Sequence, residues 1–222
     1  MKPDNSKAPA LAGTAGSKRQ ARKLILQAVA LAGFWYGCGA AAQERVITPD
    51  LCSNCHGYEG HSHFSYFPQL AGQLAPYIEE QLTLFRGKEA RKEHFAQVIM
   101  WGMAGSLTDE KIKSLAAYYA AQKPLPSTAP IPAHANRPAG EKIFAEGNPT
   151  QGLLPCMACH GDKAQGVAPA TPRLAGQHQD YLALQLRAFR SGRRANTTMG
   201  DIAKNLTDEQ IRDVSSYLAS LR

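Results

Sequence analysis

The chain of 222 residues is poor in cysteine, with five in all, and modest in charge, at 19% of residues. Five cysteines are too few to staple a chain of this length, so each Cys pair needs another use. No segment shows the two-residue period of a half-buried strand, which argues against a β-fold. With 19 Gly and 14 Pro the composition is not collagen-like, and an apolar fraction of 44% excludes wholesale disorder. The body also lacks an excess of positive charge. Of the net +7, residues 1–42 hold six Lys/Arg against Asp4 alone, while the remaining 180 residues carry 19 Lys/Arg against 17 Asp/Glu. A nucleic-acid binder keeps its basic stripe in the folded part, so no nucleic-acid partner is expected.

What is present begins with an address. Lys18-Arg19-Gln20-Ala21-Arg22-Lys23 precedes the apolar run Leu24 to Tyr36 and the small residues Gly37 to Ala42. That order, with Ala40-Ala41-Ala42 at its end, is the pattern of a secretory signal peptide cleaved near Ala42. Residues 24–42 also approach the roughly 20 apolar residues of a spanning helix, so an uncleaved N-terminal anchor is a competing reading. Cys38 as a lipidation site is a third, though Trp35 stands where lipoprotein signals prefer Leu. All three export the body and leave the positive residues inside. The expected location is the periplasm, either free after cleavage or tethered to the inner membrane through residues 24–42.

The rest of the chain is one pattern written twice. Cys52-Ser53-Asn54-Cys55-His56-Gly57 recurs 104 residues later as Cys156-Met157-Ala158-Cys159-His160-Gly161. Pro68-Gln69-Leu70-Ala71-Gly72-Gln73 recurs as Pro172-Arg173-Leu174-Ala175-Gly176-Gln177, and Tyr77, Leu82, Phe85 and Arg86 match Tyr181, Leu186, Phe189 and Arg190. Five extra residues in the first half, around Lys92-Glu93-His94, then reduce the offset to 99. Met100 matches Met199 at that offset, and Leu107-Thr108-Asp109-Glu110 matches Leu206-Thr207-Asp208-Glu209. The expected organisation is a leader (1–42), a first domain (43–123), a Pro-rich linker (124–137) and a second domain (138–222). Each domain reads as short helices and loops. Thr108 and Thr207 are expected N-caps, with Gln210 completing a capping box. The helices they open place Ile112, Leu115 and Tyr119, or Ile211, Val214 and Leu218, on one face. Domains of 80 to 90 residues are marginal for an unassisted core, so something else is expected to fill the middle.

Cys-x-x-Cys-His is the attachment pattern of c-type haem. Two thiols one helical turn apart each form a thioether to one porphyrin vinyl group, and the adjacent His is delivered beneath the iron. A zinc site wants four ligands in one cluster, and each half offers two Cys and one His. Two covalent haem c groups are therefore expected, on Cys52 and Cys55 and on Cys156 and Cys159, with His56 and His160 as proximal iron ligands. A Met thioether raises the potential and closes the sixth position. Met100 and Met199 are equivalent in the repeat and are the expected sixth ligands, with Met103 a fallback three residues from Met100. Met103 and Met157 otherwise read as core filler. His61, His63, His94, His134 and His178 read as solvated loop residues. Pro68 and Pro172 are candidates to accept the proximal His Nδ1–H. Arg86 and Arg190 are either propionate partners or solvated helix ends.

Residues 43–222 resemble the di-haem class I c-type cytochromes known as cytochrome c4. The resemblance rests on the two Cys-x-x-Cys-His-Gly motifs, the paired Leu-Ala-Gly-Gln with its following Tyr, the paired Met, and the closing helices near Tyr118 and Tyr217. It implies an all-α fold of two class I cytochrome c domains about an approximate two-fold axis, with haems meeting near the domain interface. It also implies His/Met ligation, by His56 with Met100 and His160 with Met199, and periplasmic electron transfer, often towards a terminal oxidase.

The leading expectation is thus an electron carrier rather than an enzyme, working with redox protein partners. An alternative is the di-haem cytochrome subunit of a periplasmic dehydrogenase of the flavocytochrome type. A di-haem peroxidase or thiosulfate dehydrogenase needs an open or Cys-ligated iron. The exported body has only the four cysteines that attachment consumes, and both halves supply a Met.

Overall fold

The computed structural model describes residues 48–87, 94–130, 135–169 and 171–222, the side chains of 94–97 excepted. The leader with Cys38, the inserted Lys92 and Glu93, His134 and the His94 side chain lie outside the described residues. The first half holds α1 (Pro49–His56), a 3-10 turn (Tyr58–Gly60), α2 (Ala75–Arg86), α3 (His94–Ala104) and α4 (Asp109–Ala120). The second holds α5 (Arg137–Glu146), a 3-10 turn (Pro149–Gln151), α6 (Met157–His160), α7 (Gln179–Arg190), α8 (Thr197–Ala203) and α9 (Asp208–Ser220). Among the described residues there is no strand, and two isolated bridges join Asn148 to Leu153 and Val167 to Thr171. The fold is all-α, as the periodicity implies. No helix among the described residues is long and apolar enough to cross a membrane; residues 24–42 lie outside them.

The closing helices begin where the hydroxyls say they should. Thr108 Oγ1 accepts from the Lys111 N–H at 3.2 Å, and Thr207 forms the full capping box with Gln210. Their apolar faces, Ile112, Leu115 and Tyr119 on α4 and Ile211, Val214 and Leu218 on α9, are buried. Arg86 and Arg190 each also bridge two helices. Each ends its helix (α2 or α7) by donating to the carbonyl of the Leu before the closing helix, Leu107 at 2.9 Å and Leu206 at 3.0 Å. Each also pairs with the first Asp of that helix, Asp109 at 2.7 Å and Asp208 at 2.9 Å. They are staples between two helices, because a guanidinium fork can satisfy a carbonyl and a carboxylate together.

The second half has one continuous apolar core, with Ile143, Phe144, Leu153, Leu182, Ile211, Val214 and Leu218 in mutual contact. The described first half has two smaller clusters, one around Phe85, Leu107, Ile112 and Leu115 and one around Ile78, Ala116 and Tyr119. Helix α5 crosses α9 so closely that a Cβ on Gly140 would lie 2.1 Å from the Asp213 carbonyl oxygen. Only glycine permits that approach.

Candidate haem sites and the junction between the halves

In the first half α1 carries Cys52, Cys55 and His56, so the two thiols sit one turn apart on one side of a helix. Gly57 ends the helix with φ +74°, a left-handed conformation natural to glycine. In the second half Cys159 and His160 lie on α6 and Cys156 caps it. Burial raises the Cys52 thiol, and it pushes Cys156 up to about 11. Among the described residues no three His, Cys, Asp or Glu side chains converge as a metal cluster, which leaves nothing resembling a zinc site.

His56 and His160 are buried, and each ring offers Nδ1 to a proline carbonyl, Pro68 at 2.9 Å and Pro172 at 3.0 Å. A carbonyl can only accept, so Nδ1 carries the proton in both rings. Burial drives both imidazoles below the usual histidine range, with the proline carbonyls opposing the shift in part. The result is two neutral rings of one tautomer, and Nε2 makes no hydrogen bond among the described residues. That is the donor an iron needs. The same arrangement at equivalent positions of the repeat fits the residues to haem c.

Met100 is half-buried on α3 and packs against the cluster that also touches Cys52. Met103 is on the same helix and half-buried. Met199 is half-buried on α8, which opens with the Asn196 side chain accepting the Met199 N–H at 2.9 Å. Met157 packs against the second core as filler. His63 is exposed, in line with the solvated reading, but His61 and His178 are not. His61 is half-buried, and its Nδ1 is enclosed without a hydrogen-bond partner among the described residues. His178 is fully buried, at 0% exposure. Its Nε2 lies 3.0 Å from the Ser62 carbonyl of the first half and its Nδ1 2.7 Å from the Ser127 Oγ of the connecting segment. The neighbouring elements come from three separate stretches of chain, which no local pattern reveals.

The Leu-Ala-Gly-Gln repeats build the junction. The Gln177 amide accepts the Gln69 N–H and donates to the Gln69 carbonyl, both at 2.9 Å. Its repeat equivalent Gln73 accepts the Arg173 N–H at 2.8 Å and donates to the Arg173 carbonyl at 2.9 Å. Gln69 and Arg173 are themselves equivalent, so the contacts are reciprocal, as a two-fold relation requires. Both glutamines are buried, and a buried side-chain amide must be satisfied at both ends. The signal that was available was their identity across the repeat.

A family model described as cytochrome c matches residues 138–222. The chain is 41% identical over 171 residues to cytochrome c-552 of Acidithiobacillus ferridurans, covering 77% of this chain and 73% of that one. It is 39% identical to cytochrome c4 of Thiocapsa roseopersicina, covering 77% of this chain and 87% of the relative. A thiosulfate dehydrogenase electron acceptor of Thiomonas intermedia is 32% identical, covering 90% and 91%. The solved cytochrome c4 structure of Acidithiobacillus ferrooxidans superposes with a TM-score of 0.71 at 41% identity, over 77% of this chain and 98% of that one. With two motifs, two buried proline-held histidines and relatives of this identity over most of their lengths, the chain belongs to the cytochrome c4 family of di-haem class I c-type cytochromes, with covalently bound haem c as its cofactor.

Proposed function

We propose that the chain is an exported electron carrier of the periplasm that passes electrons between respiratory protein partners, towards a terminal oxidase. Cys52 and Cys55 would hold one haem and Cys156 and Cys159 the other, with His56 and Met100, and His160 and Met199, as the iron ligands. The domains run over 43–123 and 138–222, joined by 124–137. The observation that carries this reading is the twin His–Pro bond, which leaves both Nε2 atoms as free neutral donors.

When bound, each haem supplies an iron that cycles between ferric and ferrous states. The protein's part is to hold that change to small movements. The cysteines would tether the haems as thioethers, and the proline carbonyl fixes the imidazole ring about its axis and raises its basicity. The methionine thioether favours the reduced iron and keeps exogenous ligands out. Two such sites in one chain make a wire or a two-electron store, with no substrate pocket required.

The test is an optical titration of the exported protein, with haem counted per chain and carbon monoxide added to the reduced form. Two haems and no spectral shift are expected. Rapid carbon monoxide binding at one haem would replace the carrier with an enzyme or a gas-binding protein. A second reading has a specific support, the relative named as a thiosulfate dehydrogenase electron acceptor. On that reading a periplasmic dehydrogenase is the donor. Reduction of the chain by thiosulfate in the presence of such an enzyme, and not by thiosulfate alone, would favour it.

A further inference from the structure

Each junction bond falls on a peptide unit that already holds a proximal histidine. The Pro68 carbonyl accepts from His56 Nδ1, and the N–H of the same Pro68–Gln69 peptide donates to Gln177 Oε1 of the other half. The Pro172 carbonyl accepts from His160 Nδ1, and the N–H of the Pro172–Arg173 peptide donates to Gln73 Oε1 of the first half. A peptide group is a conjugated unit, so accepting at its N–H draws charge onto its oxygen, and chained hydrogen bonds strengthen one another in a dry interior. A stronger carbonyl holds the Nδ1 proton more tightly and makes the imidazole a better donor at Nε2. Position is fixed as well. Each glutamine grips both the N–H and the C=O of one residue, so the peptide cannot turn away from its histidine without releasing the junction.

Both Oε1 atoms are fully engaged in the same manner. Gln73 also accepts the Leu74 N–H at 3.0 Å, and Gln177 the His178 N–H at 2.9 Å. The side-chain rotamers are therefore held from their own domains, and what they present across the junction is rigid. The bonds lie at buried or half-buried residues, where water does not readily substitute.

We propose that Gln73 and Gln177 are crossed positioning residues: each sets, through one shared peptide unit, how strongly the proximal histidine of the other domain donates to its iron. The two haem potentials thereby depend on the domains being clasped, and opening the junction shifts both. The proposal rests on the di-haem reading above.

The experiment uses the full holoprotein and the variants Gln177→Met and Gln73→Met, which keep length and remove the acceptor. Haem per chain is counted first. The two midpoint potentials are then measured, and the Nδ1 proton resonances of His56 and His160 are followed in the reduced protein. A weaker carbonyl makes a less basic ligand, which favours the reduced iron. Gln177→Met is therefore expected to raise one potential and move the His56 resonance, leaving His160 in place. Gln73→Met is expected to raise the other potential and move the His160 resonance. Shifts confined to the variant's own domain, equal shifts at both haems, or no shift would each overturn the proposal. If either Met variant fails to assemble, Gln→Glu at the same position keeps an acceptor for the N–H, a stronger one when ionised, while losing the donation to the carbonyl. The cross-domain histidine resonance should then move in the opposite sense to the other Met variant's effect, and a response at the glutamate's own domain instead would overturn the proposal. A count other than two haems would sink the di-haem reading itself, whereas two haems with uncrossed shifts would sink only the clasp.

Discussion

The two halves share a plan and differ in how they are held together. Both present a Cys-x-x-Cys-His segment, a proline carbonyl beneath the histidine, an arginine staple and a Thr-capped closing helix. The second half has α5 seated against α9 at Gly140 and one continuous core; the first-half positions equivalent to α5 lie outside the described residues. The described first half has its apolar residues divided between two clusters. At the junction the repeat is symmetric in its glutamines and asymmetric beside them, where His178 of the second half takes the repeat position that Leu74 holds in the first. The expectation that follows is an unequal dependence on the cofactor. A half with a smaller independent core must lean more on the haem that fills it.

Removing one haem at a time should give the largest contrast. Cys52→Ser with Cys55→Ser, and Cys156→Ser with Cys159→Ser, are each expected to reduce haem from two per chain to one. The first pair should lose more helical signal in far-ultraviolet circular dichroism than the second. Equal losses would show that the cores depend on haem alike. Next in size is Gly140→Val, whose side chain meets the Asp213 backbone; overpacking of this kind costs about 1–3 kcal/mol. Denaturant unfolding followed at each haem should place the loss in the second half.

His178 sharpens the asymmetry at the junction. Because the Ser62 carbonyl can only accept, Nε2 holds the proton and Nδ1 accepts from the Ser127 hydroxyl. Burial lowers its pKa, with the Ser62 carbonyl and Asp180 opposing and His63 adding to the shift. A lowered histidine pKa means that the unfolded chain binds the proton first. The contribution to stability is full above the ordinary value of 6.5 and is lost as the pH falls through the depressed folded value. His178→Leu, the first half's own residue, is expected to lose about 1–2 kcal/mol at neutral pH by stranding the Ser62 carbonyl. It should also flatten the decline below pH 6.5, read as denaturant midpoints at pH 7.5 and 5. The smallest contrast is at the caps. Thr207→Ala should cost about 1 kcal/mol and Thr108→Ala about half that, because only Thr207 has a reciprocal glutamine. Thermal unfolding of the two variants compares them directly.

Much of the fold was legible because its causes are local. Thr207 and Gln210 lie three residues apart, and the faces of α4 and α9 follow from a 3.6-residue period. The proline carbonyls beneath His56 and His160 were readable from a twelve-residue spacing kept in both copies. The arginine staples were not foreseen because their partners, Asp109 and Asp208, lie on the next helix and meet them only after α2 and α7 turn back. His178 was misread for the same reason on a larger scale. The Ser62 carbonyl is 116 residues away, and nothing near His178 in the chain announces its burial.

By itself the sequence determined the chemistry: two thiols and an imidazole at a spacing that one helical turn imposes, repeated with its proline and its methionine. Those constraints are covalent and short-range, so residue type and spacing suffice to express them. Tertiary structure alone decided that Gln73 and Gln177 reach across the junction to the peptides that hold the opposite histidines. That pairing joins residues about a hundred positions apart, and it exists only because packing two equivalent surfaces face to face buries polar groups that must then satisfy one another.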